Sequence, residues 1–75
     1  MDGELRINAR GLSVPGPRLM VQSALEKGRP GSMRVVVSTR EGAHDVTSYL
    51  SGMGASVEID QVGEEFHVLA RFSPA

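Results

Sequence analysis

Not one of the 75 residues is a cysteine, so the fold must be held by an apolar core, with no disulfide framework to take its place. Tyr49, Phe66 and Phe72 are the only aromatic residues. The core is therefore expected to be aliphatic, with Met20, Met33 and Met53 filling its irregular gaps. An apolar share of 40% beside 23% charged residues is that of a globular chain rather than a disordered one. The length allows one small domain, residues 1–75, and no second. The missing cysteine also removes any thiolate nucleophile or Cys-ligated metal.

No apolar run approaches the roughly 18 residues that a spanning helix needs. The segment Met1-Asp2-Gly3-Glu4 is acidic where a signal peptide would be basic and then apolar. The expectation is a cytoplasmic protein without a membrane partner. Net charge is −1, but it is unevenly spread. Arg6, Arg10, Arg18, Lys27, Arg29, Arg34 and Arg40 outnumber the acids of the first forty residues, while the remainder carries Arg71 against six acids. Such a split can orient a charged partner unless the fold interleaves the two halves.

Leu5, Ile7 and Ala9 alternate with Arg6, Asn8 and Arg10, the period-two pattern of a strand with one buried face. Two glycines and two prolines in Gly11-Leu12-Ser13-Val14-Pro15-Gly16-Pro17 then force a turn. Pro17 suits the first turn of a helix, predicted to run to Lys27 with Met20, Ala24 and the Lys27 stem on its inner stripe and Val21 and Leu25 beside them. Met33–Ser38 is a β-branched strand. Thr39 is a helix cap, Glu41 lies in the first turn, and Val46, Tyr49, Leu50 and Met53 follow at i, i+3, i+4, i+7. Gly52 and Gly54 end that helix. Val57 and Ile59 share one face of a third strand, and a turn at Gly63-Glu64 leads to a fourth, Phe66–Phe72, in a hairpin.

The order β-α-β-α-β-β predicts an α+β two-layer sandwich, with two helices on one face of a four-stranded mixed sheet. The other face should stay wet, populated by Arg6, Asn8, Arg34, Val36, Ser38, Glu58, Asp60, His67, Leu69 and Arg71. Glu58 or Asp60 is expected to pair across strands with His67 or Arg71.

Chemistry is sparse. His44 and His67 lie on different elements, and Glu41 with His44 at helical spacing is better read as a solvated face, so no dedicated metal is expected. Adjacent His44 and Asp45 point about 100° apart around a helix, which argues against a serine triad. Gly11–Gly16 precedes a helix start between Arg10 and Arg18, but Pro15 and Pro17 each delete an amide that a phosphate cradle would use. With all three aromatics in the core, no stacking platform for single-stranded nucleic acid remains. No cofactor is implied. The residues alone point to a binding or carrier module.

The stretch Asn8-Ala9-Arg10-Gly11-Leu12-Ser13-Val14-Pro15-Gly16-Pro17 resembles the signature of the TusA/SirA/YedF family of small sulfur-carrier proteins, roughly D-A-R-G-L-x-C-P-x-P. The resemblance continues through Pro30-Gly31 before the second strand, Asp45-Val46 in the second helix, Gly54 before the third strand and the terminal hairpin. It implies the same two-layer fold. It also implies a motif cysteine that takes sulfane sulfur as a persulfide and hands it to a partner protein, in routes such as tRNA thiolation, molybdenum-cofactor biosynthesis and sulfur oxidation. Val14 stands at the cysteine position, and Asn8 stands where the family has Asp.

Three functions follow. The first is a protein-interaction or regulatory module that does not transfer sulfur, contacting a sulfur-relay protein through an exposed junction of Arg10, Val14, Pro15, Gly16, Pro17 and Arg18, with no catalytic residue. The second is a sulfur carrier in which the cysteine was substituted by Val14. The third is a weak nucleic-acid or anion binder using Arg10, Arg18, Lys27, Arg29 and Arg34, whose affinity would fall steeply with salt.

Overall fold

The computed structural model describes residues 3–73. Its elements run β1 (Glu4–Ala9), α1 (Gly16–Leu25), β2 (Ser32–Val37), α2 (Arg40–Gly52), β3 (Ser56–Val62) and β4 (Glu65–Arg71). The strands form one mixed sheet in the order β1-β2-β4-β3. β1 pairs with β2 in parallel, and β4 lies antiparallel between β2 and β3. Both helices follow the predicted order, and the α+β sandwich is as the periodicities require. No helix among the described residues is long and apolar enough to cross a membrane.

The core lies between sheet and helices. Met33, Val35 and Val37 of β2, Val68 and Ala70 of β4, and Ile7 and Ala9 of β1 meet Val21 of α1 and Ala43, Val46 and Leu50 of α2. Tyr49, Met53 and Phe66 pack against this cluster while only partly buried. α2 starts as expected, with the Thr39 Oγ1 accepting from the Gly42 N–H at 3.0 Å and Glu41 in the first turn.

α1 differs from its prediction at both ends. It starts at Gly16 and stops at Leu25, leaving Lys27 outside, where the Lys27 and Gly28 N–H groups donate to the carbonyls of Ala24 and Leu25. Its buried line is Pro17 and Val21, with Ala24 and Leu25 half-buried, and Met20 is 39% exposed rather than in the core. The reason lies at Gly42 on α2: a Cβ there would sit 3.6 Å from the Pro17 Cγ, so Pro17 anchors the helix and turns Met20 to its flank. Ile59 is likewise more exposed than a core residue, at 38%, because β3 is a sheet edge.

The open face of the sheet is drier than expected. Val36 is buried, and Arg34, His67 and Leu69 are only half-exposed. The register sets Asp60 opposite His67, but the expected pair does not form. Arg34 on β2 donates its Nη1–H to the His67 Nδ1 at 3.0 Å, and the His67 Nε2 faces Glu65 at 3.8 Å. Arg34 also faces Glu4 at 3.6 Å. Among the described residues, Glu58, Asp60 and Arg71 make no ion pair. The charge asymmetry survives folding in the sheet, where β1 lies beside β2 and β3 beside β4. Two ion pairs, Arg10–Glu65 and Arg18–Asp45, join the basic and acidic halves.

Candidate functional site

The β1–α1 junction is built from the end of β1 outward. Fully buried Ala9 fixes the strand in the core, and its carbonyl accepts from the Leu12 N–H at 3.3 Å, closing the first turn. Gly11 sits at φ +80°, a conformation that strains any residue with a Cβ. Its N–H donates to the Ser38 Oγ at 3.0 Å, tying the turn to the residue that follows β2. The Asn8 Oδ1 accepts from the Arg10 N–H at 3.1 Å and from the Arg10 Nη1 at 3.4 Å. These are acceptor roles that an Asp carboxylate would fill equally, so the amide keeps the local hydrogen bonds.

A second turn follows. The Gly16 N–H donates to the Ser13 carbonyl at 2.8 Å, with a cis Val14–Pro15 peptide between them. Val14 is 45% exposed at this turn. The Pro15 carbonyl accepts from the Leu19 N–H at 3.0 Å, which starts the helix. A Cβ on Gly16 would lie 3.2 Å from the Leu12 Cβ, so Leu12 folds back over the helix start.

Of the six residues expected to be exposed here, Arg10, Val14 and Pro15 are exposed, and Gly16 and Arg18 are half-buried. Pro17 is instead fully buried against α2. It shapes the junction from below rather than facing a partner. Leu12, Leu19 and Met20 are exposed at the same junction. The sequence reading missed Leu12 and Leu19 and assigned Met20 to the core, since leucine and methionine in a strand-turn-helix segment carry no signal separating surface from interior.

Both junction arginines are neutralised. Arg10 forms a bidentate pair with Glu65, whose second contact, Nη2 to Oε1, is 3.0 Å long. The hydrogen bond from Arg10, reinforced by its charge, pulls the Glu65 carboxyl below the usual carboxylate range, and the same bond raises the Arg10 pKa. Arg18 holds Asp45 of α2 at 3.1 Å.

This arrangement limits the chemistry. The Gly11, Leu12 and Gly16 amides that could cradle an anion are already donating within the protein, and Pro15 and Pro17 have none to give. Among the described residues no group of three or more His, Cys, Asp or Glu could hold a metal ion. What the junction exposes is the apolar side chains of Leu12, Val14 and Leu19, together with two ion-paired arginines.

The sequence model of a family described as sulfurtransferase TusA matches residues 5–71. Among solved structures, the chain is similar to a SirA-like protein from Desulfitobacterium hafniense, with a TM-score of 0.77 and 20% sequence identity over 89% of this chain and 95% of that one. At that identity the likeness is one of fold. No curated protein matches the chain.

Proposed function

The chain belongs to the TusA family, and from that premise we propose that it is a non-catalytic interaction or regulatory module, using the family scaffold without carrying sulfur. The observation that carries this reading is Val14, 45% exposed where the family signature has its cysteine, in a chain with no other thiol. An isopropyl group has no lone pair with which to hold a sulfane sulfur, whereas the family's relay chemistry needs a thiolate. The scaffold around the position is intact: two hydrogen-bonded turns, the Ser38 tether and the Pro17 anchor. The partner this surface fits is a protein of a sulfur relay, met by Arg10, Val14, Pro15, Gly16 and Arg18 above the buried Pro17.

The test is intact-mass spectrometry after incubation with a low-molecular-weight persulfide donor. The wild type gains nothing, while Val14→Cys gains one sulfur atom that dithiothreitol removes. Binding is then measured against a sulfur-relay protein known to bind a cysteine-bearing relative. Wild type binds and Val14→Asp does not. A sulfane adduct on the wild type, or binding indifferent to Val14→Asp, overturns the reading.

A further inference from the structure

The sheet has two outer edges, β1 and β3. Alternate backbone N–H and C=O groups of an edge strand face outward unpaired, and proteins commonly blunt such edges with charged side chains, lysine above all, or with proline, a bulge or a covering segment. Among the described residues β3 has only the first of these, the acidic pair Glu58 and Asp60, which repels a like-charged strand and leaves the edge open to a basic one. Ser56–Val62 contains no Lys, Pro or Gly, and its register with β4 is unbroken from Ser56↔Arg71 to Val62↔Glu65. Among the described residues no strand pairs with its outer side, and six of its seven residues are exposed.

Its two faces state what would fit. On the open face, Glu58 and Asp60 have no cationic partner among the described residues. On the helix face, Ile59 borders a shallow cavity of about 260 Å³ lined also by Arg40, Ala43, His44, Gln61 and Phe66. A strand laid along β3 would alternate its side chains between these two environments. We propose that β3 takes up an extended segment of a partner protein by strand addition, a segment alternating Lys or Arg with apolar residues. The basic residues meet Glu58 and Asp60, and an apolar one packs on Ile59. A second copy of this chain is a poor occupant, because antiparallel self-pairing about Ile59 sets Glu58 against Asp60, and like charges placed opposite each other repel. β3 and β1 lie at opposite edges of the sheet, so this surface is separate from the β1–α1 junction and does not depend on the function proposed for it.

The probe is an acetylated, amidated seven-residue peptide alternating lysine and valine, titrated into the ¹⁵N-labelled full chain. The expected result is amide shifts and slowed hydrogen exchange confined to β3 and its cavity. Replacing the peptide's central valine by proline, at unchanged charge, should abolish binding, and a glutamate–valine peptide should not bind. The Glu58→Lys, Asp60→Lys double variant, folded by circular dichroism, should bind about ten-fold more weakly. Absence of binding, equal binding of the proline peptide, shifts centred elsewhere, or concentration-dependent self-association through β3 would overturn the proposal.

Discussion

Arg10, just past the end of β1, clasps Glu65 at the start of β4, although β2 separates those two strands in the sheet. The pair thus spans β2 beside the point where Ser38 receives the Gly11 N–H, and it ties the loop of the basic half to the hairpin of the acidic half. Because the Arg10 contact depresses the Glu65 pKa, the stabilisation from this pair is complete above the unfolded-state carboxylate pKa. It is lost as pH falls through the lower folded-state value. Carboxyl ¹³C titration by NMR should find Glu65 protonating at lower pH than an unpaired glutamate, and at higher pH in Arg10→Met than in wild type. Identical titrations in the two proteins would mean that the pair does not persist in solution.

Gly42 tests the packing of α2 on the motif loop. A Cβ there would come within 3.1 Å of the Thr39 Oγ1 and 3.6 Å of the Pro17 Cγ. Gly42→Ala should therefore be close to neutral, because displacing the Thr39 cap costs about 1 kcal/mol and offsets a roughly equal gain in helix propensity. In a Thr39→Ala background the close contact disappears and the same substitution should stabilise the protein. Urea denaturation of the four proteins completes the cycle, and simple additivity would contradict the geometry.

Leu50 and Leu19 are chemically identical and structurally opposite, the first fully buried in α2 and the second 51% exposed on α1. Leu50→Ala should cost about 2–5 kcal/mol, a large share of the stability available to so small a domain. Leu19→Ala should cost about 0.5 kcal/mol or less. The midpoints of chemical denaturation measure both, and comparable losses would show that α1 sits differently on the sheet.

Val14→Cys and Val14→Ser should leave stability within about 0.5 kcal/mol of wild type, since the side chain is substantially exposed at a turn closed by backbone hydrogen bonds. A large loss in thermal unfolding would mean that the isopropyl group packs more tightly than its exposure indicates.

How much of this could be read beforehand depends on the range of the interactions involved. The valines of β2 and the Thr39-to-Met53 pattern of α2 are local signals, and both elements formed where the periodicity placed them. The strand order is not local: β4 inserts between β2 and β3, which leaves Ile59 at an edge. The Arg34–His67 contact depends on that insertion, because it brings the two residues to diagonal positions on one face of β2 and β4. At the junction, the turn was legible from glycine and proline spacing, whereas the place of Val14 followed from the family resemblance alone. The partners that hold the turn, Ser38 and Glu65, lie 27 and 55 residues from their contacts, and nothing in the motif announces them. The inward face of Pro17 was equally hidden, since it is set by the absence of a side chain at Gly42 on another helix.

The hydrogen bonds that define the junction come from the backbone, from Asn8, from Ser38 and from Arg10, and residue 14 contributes no side-chain atom to any of them. Position 14 is therefore an interchangeable socket. A photocrosslinker, a spin label or a selenol installed there would stand at a defined place in a turn closed by backbone hydrogen bonds, in a background with no competing thiol to confuse its chemistry.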